Sequence, residues 1–174
     1  MNFQKLPVLV NNNIHVIVET TKGSSVKYGY DSKVEAMEVR HILTNGSAFP
    51  FNFGFIPLTV AEDGDPLDVI IVSDLPFTMG VLVKCRVIGA FLAKQEKDGE
   101  LIRNDRIVAV PVADKTLDYI TAMEDLNESY LKKIENFFVS YNKARNVKFI
   151  PTIRLESSKA MQLINKHVKE VFYL

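Results

Sequence analysis

The stretch EDGDPLDVIIV (62–72) sets three aspartates, Asp63, Asp65 and Asp68, around a Gly and a Pro, then runs into a buried-type strand. Asp63 and Asp65 are two apart, so in extended backbone both side chains leave the same face. Pro66 fixes its own φ and drives Asp65 toward extended geometry, while Gly64 relaxes the preceding link. The chain can therefore bend and swing Asp68 back toward the other two. Three ionised carboxylates brought together raise one another's pKa unless a cation sits among them. An all-oxygen anionic site suits Mg²⁺ or Mn²⁺ rather than Zn²⁺. The plain alternative is a solvated acidic turn, because D-G and D-P are common turn formers. An EF-hand is excluded: its fifth position would be Leu67, and its glycine position is Asp68.

Outward from this stretch, the first two-thirds of the chain reads as β. IHVIVET (14–20), VKYGY (26–30), AMEVR (36–40), DVIIV (68–72) and RIVAVPV (106–112) are short runs of strand character between turn signals. GVLVKCRVIGAFLAK (80–94) alternates, with Val81, Val83, Cys85 and Val87 on one face and Lys84 and Arg86 on the other. KDGELIRND reads as a polar loop. From Asn127 to Ala144 the period changes: Leu131, Ile134, Phe137, Phe138 and Tyr141 fall at helical spacing. VKFIPTIRL (147–155) is a further strand interrupted by Pro151. A second helix is expected from Ser157, as N-cap, with Ala160, Ile164, Val168 and Val171 on one stripe. Strands followed by helices predict a mainly β protein with two C-terminal helices, a small closed barrel flanked by helices.

The 174 residues suffice for one well-filled core and form one expected domain. Lys+Arg and Asp+Glu balance at 21 each, so no global field draws the chain to nucleic acid or anionic membrane. The only local basic cluster is NKARNVK (142–148). No apolar stretch reaches the ~20 residues of a membrane span, and no signal peptide is expected. A single cysteine, Cys85, fits a reducing cytoplasm and, on an apolar strand face, a core position. P-loop, G-x-G-x-x-G, G-x-S-x-G, H-E-x-x-H and C-x-x-C motifs are missing. His15 and His167 have no partner at metal-ligand spacing.

DGDPLD resembles the D-x-D-P-x-D signature of the soluble, family I inorganic pyrophosphatases. VIVE, VKY, FPFNFGFIPLT, VKCRVIGAF, RIVAVPV and IENFFVSYNKA occur in that family's order, so the resemblance covers roughly residues 14 to 145. It implies a five-stranded OB-like barrel holding several Mg²⁺ ions, with Mn²⁺ as a substitute, that hydrolyses pyrophosphate or a related phosphate compound. Asp63 and Asp68 would be metal ligands, and Asp65 would take a proton from the attacking water. Glu19 would act near the metals, while Lys27 and Tyr141 would contact phosphate. The resemblance also implies a homo-oligomer.

The departures lie mostly in the phosphate-binding half. Gly29 stands where the family has a second glutamate. His41 falls at the position of a strand arginine, with Arg40 next to it; Arg40 can substitute only through a β-bulge, because a one-residue slip flips the side chain to the other face. Phe49 and Phe53 replace tyrosines. Of two further metal-binding aspartates, Asp98 matches the first after an insertion and the second is Asn104, a weaker ligand, with Asp105 adjacent. Arg106 replaces a lysine, which exchanges a point donor for a planar fork. Asn142 replaces another lysine; Lys143 is next, but a one-residue step turns a helical side chain by ~100°. The pattern implies either a pyrophosphatase with a rearranged anion site or a weakened paralogue that binds metal, phosphate compounds or a protein partner.

Overall fold

The structure is a computed structural model describing residues 3, 6–44, 46–97 and 99–169. Its strands and α-helices follow in the order β1 (Leu9–Val10), β2 (Asn13–Thr20), β3 (Val26–Asp31), β4 (Ala36–Ile42), β5 (Asn52–Phe55), β6 (Asp68–Ile71), β7 (Leu82–Lys97), β8 (Glu100–Arg103), β9 (Arg106–Pro111), α1 (Glu128–Lys143), β10 (Lys148–Glu156) and α2 (Ser157–His167). β2 pairs with β5, β5 with β6, β6 in parallel with β9, and β9 with β7. β7 then returns to pair with β2, so five strands close into a ring and leave no unpaired edge within it. The long β7 also carries β8 and β10. β3 and β4 form a separate hairpin. The expected small closed five-stranded barrel with two flanking helices is the fold observed.

Both faces of the ring strands are buried, which explains why β6 and β9 read as continuous apolar runs. Val16, Val18, Val69, Ile71, Ile107 and Ala109 meet Ala160, Leu163 and Ile164 of α2 in one cluster. Residues of the other parity, Phe53, Ile70 and Val108, pack beneath Leu131, Ile134 and Phe138 of α1. The face expected from Val81 through Val87 is only partly right. β7 starts at Leu82, leaving Val81 in the preceding turn, and a register shift between Val87 and Gly89 reverses the alternation. Ile88 therefore joins the α1 side while Ala90 returns to the α2 side. Only a glycine fits the bulge, since a Cβ on Gly89 would lie 2.5 Å from the Leu155 carbonyl oxygen.

α1 has the expected limits, with the Asn127 side chain accepting from Ser129 N–H at 2.8 Å as N-cap. α2 differs by one residue. Glu156 is its N-cap without a side-chain bond, and Ser157 instead donates its hydroxyl to the Val87 carbonyl at 2.7 Å. Val168 lies past the helix end, bridged to Thr59, and Val171 lies outside the described residues. Strands at Asn52–Phe55 and Glu100–Arg103 were not expected; the latter forms the edge of what reads as a polar loop. Among the described residues no helix is long and apolar enough to cross a membrane.

Candidate active site

The three aspartates sit where the chain enters β6. The Asp63 carboxylate accepts from Asp65 N–H at 3.1 Å, and Gly64 between them takes φ +87°. That conformation favours glycine, so the D-G-D order shapes the turn. Asp68 opens β6, and the parallel register sets it beside Arg106, the first residue of β9. Their side chains form an ion pair at 3.6 Å. Burial pushes Asp68 up to about 7, against the pull of Arg106 and Lys27, and raises Asp63 above the ordinary carboxylate value.

Arg106 is 4% exposed. Its guanidinium lies 4.3 Å from the Phe138 ring centre and 4.7 Å from that of Phe149, and it donates to the Asn104 carbonyl. Its Nε has no hydrogen-bond partner, so a buried cation keeps unused donor capacity at the site. On β2, Glu19 accepts from Lys27 Nζ and from Tyr30 N–H, each at 2.8 Å. Lys27 Nζ also stands 4.6 Å from the Phe53 ring centre. Phe53 therefore gives the cation an aromatic face where a tyrosine would give a hydroxyl.

β3 and β4 contain the bulge on which a role for Arg40 depends. Lys27 pairs with His41 and Tyr28 with Val39, so Arg40 is the extra residue. Its side chain crosses Gly29: a Cβ there would lie 2.9 Å from Arg40 Cγ and Nε. Glu19, Lys27, Arg40, Asp63, Asp65, Asp68, Asn104, Arg106 and Tyr141 all line one cavity of about 440 Å³. His41 does not. It lines an adjoining groove of about 120 Å³, with its ring 5.7 Å from that of Tyr141. Lys143 is exposed and lines neither. Asp98 lies outside the described residues. Asp105 does not replace Asn104 at the cavity, since it is buried and accepts from Ala93 N–H and Arg103.

Sequence reasoning missed Arg145 and Gln95, which also line the cavity. Arg145 lies past the end of α1, so helical spacing from Tyr141 did not announce it. Gln95 carried no signal. Its side chain donates to Asn142 Oδ1 at 3.1 Å, and the buried Asn142 donates to the Phe138 carbonyl. Asn142 is therefore occupied within the protein body.

Four carboxylates in the lining, Glu19, Asp63, Asp65 and Asp68, match four cations, Lys27, Arg40, Arg106 and Arg145. Among the described residues no group of three or more His, Cys, Asp or Glu side chains is arranged to hold an ion by itself. Mg²⁺ in general takes oxygen ligands, among them carboxylates, waters and phosphate oxygens. Asp63 and Asp68 provide hard oxygen donors of this kind. The cavity thus sets hard oxygen donors beside an ammonium and guanidinium groups, a donor set suited to phosphate oxygens and divalent cations.

The inorganic pyrophosphatase family profile matches residues 16–171. An inorganic pyrophosphatase of Thermus thermophilus is 36% identical over 142 residues, covering 80% of this chain and 79% of that protein. One from Helicobacter pylori is 31% identical over 173 residues, covering 97% and 98%. A crystal structure of the Thermus thermophilus enzyme aligns over 95% of both chains with a TM-score of 0.86 at 30% identity. The chain belongs to the inorganic pyrophosphatase family.

Proposed function

We propose that this chain hydrolyses inorganic pyrophosphate to two phosphate ions with a divalent metal cofactor, Mg²⁺ in first place and Mn²⁺ as its substitute. The observation that carries the reading is the one cavity in which Asp63, Asp65 and Asp68 stand with Lys27, Arg40 and Arg106. Asp63 and Asp68 would hold the cations, with Glu19 acting through water and Asn104 adding a neutral oxygen. Bound divalent ions supply acidified water and neutralise charge developing on the phosphate oxygens. Asp65, exposed at the mouth, takes the proton of the attacking water on its carboxylate. Lys27, Arg40, Arg106 and Tyr141 hold phosphate oxygens. Arg106 does so from a buried position against two aromatic rings, so little reorganisation accompanies reaction.

A weakened relative that binds without turnover is favoured by one contact: Asn104 donates to Asp63 Oδ2 at 3.1 Å, using an oxygen that a cation needs. Phosphate release from pyrophosphate with Mg²⁺ and then Mn²⁺, beside Asp65→Asn, separates the two. Loss of at least ~10²-fold in Asp65→Asn is expected of the hydrolase. No release above background from folded, metal-loaded wild type would leave the binding reading. The same proposal includes a cytoplasmic location, which suits the buried free thiol of Cys85, and self-association. Exposed Leu75, Met79, Val81 and Leu82 within one segment support the latter.

A further inference from the structure

The basic run NKARNVK (142–148) has no role in the reaction as described, yet it touches the cavity at one point. α1 ends at Lys143, with Ala144 as C-cap. The backbone then curls back: Arg145 N–H and Val147 N–H both donate to the Asn142 carbonyl, at 2.9 and 3.0 Å, and Asn146 takes φ +57°. This turn holds Arg145 on the Tyr141 side of the helix, with its guanidinium 5.3 Å from the Tyr141 ring centre. Asn142, directly after Tyr141, is fully buried and bonded inward to Gln95 and Phe138. Lys143 and Arg145 are both exposed, but Lys143 lines neither cavity. Among the cations of the run, only Arg145 lines the cavity.

We propose that Arg145 is a substrate-binding residue that grips phosphate oxygens at the Tyr141 end of the cavity. It supplies from just past the helix end the cation that Asn142 cannot supply. This assignment rests on the hydrolase reading for the identity of the ligand, but its contact is with phosphate oxygens in any case. The cation–π contact with Tyr141 orients the planar fork and lowers the rotamer freedom lost on binding. A guanidinium in this setting can hold two oxygens of one phosphate, as an ammonium cannot.

The test uses Mg²⁺ with methylenediphosphonate, whose P–C–P bridge does not hydrolyse, and calorimetry on wild type, Arg145→Gln, Arg145→Lys and Lys143→Gln. Pyrophosphate kinetics and melting temperatures are measured beside it. Lys143→Gln removes the same charge from the same run at a side chain outside the cavity. Arg145→Gln should weaken diphosphonate binding about 10–100-fold and raise KM similarly, with little change in kcat or melting temperature. Arg145→Lys should recover part of the loss, and Lys143→Gln should stay within about twofold. Equal losses in Arg145→Gln and Lys143→Gln would reduce the effect to a long-range field and overturn the contact. Wild type that hydrolyses pyrophosphate while Arg145→Gln keeps its KM and affinity overturns the assignment and leaves the hydrolase standing. Arg145-dependent binding without phosphate release does the reverse.

Discussion

A side chain on Gly29 would have to share space with Arg40. The family's glutamate at that position and an arginine reaching in from the bulge therefore exclude each other, and here the arginine is present. Arg40 is half-exposed and paired with Glu38 at 3.1 Å, so its removal should cost little stability. Gly29→Ala leaves the backbone alone but pushes Arg40 aside. Its KM for pyrophosphate should rise toward that of Arg40→Ala, about 10-fold above wild type, the scale of one charge-assisted hydrogen bond. The double variant should be no worse than Arg40→Ala, because both changes remove the same contact. Steady-state kinetics on the four proteins decide the point, and additive losses would show that Gly29 acts independently of Arg40.

At the scale of elements, one arginine ties helix to sheet. Arg154 on β10 donates to both Glu128 oxygens, at 2.7 and 3.1 Å, and to Glu135 at 2.9 Å, joining β10 to the first turns of α1. Those bonds hold Glu128 below the ordinary glutamate value. A carboxylate whose folded pKa is depressed contributes stability that is present above its unfolded value, ~4.3, and is lost as pH falls through the folded pKa. Glu128→Gln should therefore melt lower than wild type at pH 7, by a few degrees at most because the pair faces solvent, and the gap should close toward pH 3. A gap that persists undiminished at pH 3 would assign the loss to packing or helix propensity instead.

Across the whole molecule, what could be read from the sequence was whatever repeats. α1 shows its period over four turns, and the two-residue period of β7 holds as far as Val87, where an unannounced bulge reverses it. β5 gave no pattern because its polar residue is structural. The buried Asn52 accepts from Lys22 N–H and Phe77 N–H and donates to the Leu75 carbonyl, so a residue that looks like a turn former pins three segments. The aspartates were legible because local backbone sets them together. Arg106 was named only by the family resemblance, and its place beside Asp68 comes from the pairing of β6 with β9. Arg145 was not legible, because its placement depends on how the helix ends, whereas the eye follows the position next to Tyr141. The same limit applies beyond the chain: periodicity says which residues are apolar but not which of them stay uncovered. Leu75 and Leu82 are 62% and 45% exposed within one short segment, beside Val81 and Met79. Single exposed apolar residues are ordinary, but four of them within eight positions of sequence are what a self-association surface would use. Sedimentation equilibrium should therefore find a mass that is a multiple of 19.7 kDa. Charging the segment, with Leu75→Asp and Leu82→Lys, should shift it toward the single-chain mass. A wild type that sediments as one chain at tens of micromolar would mean that the segment remains exposed and that the complete site belongs to one chain alone.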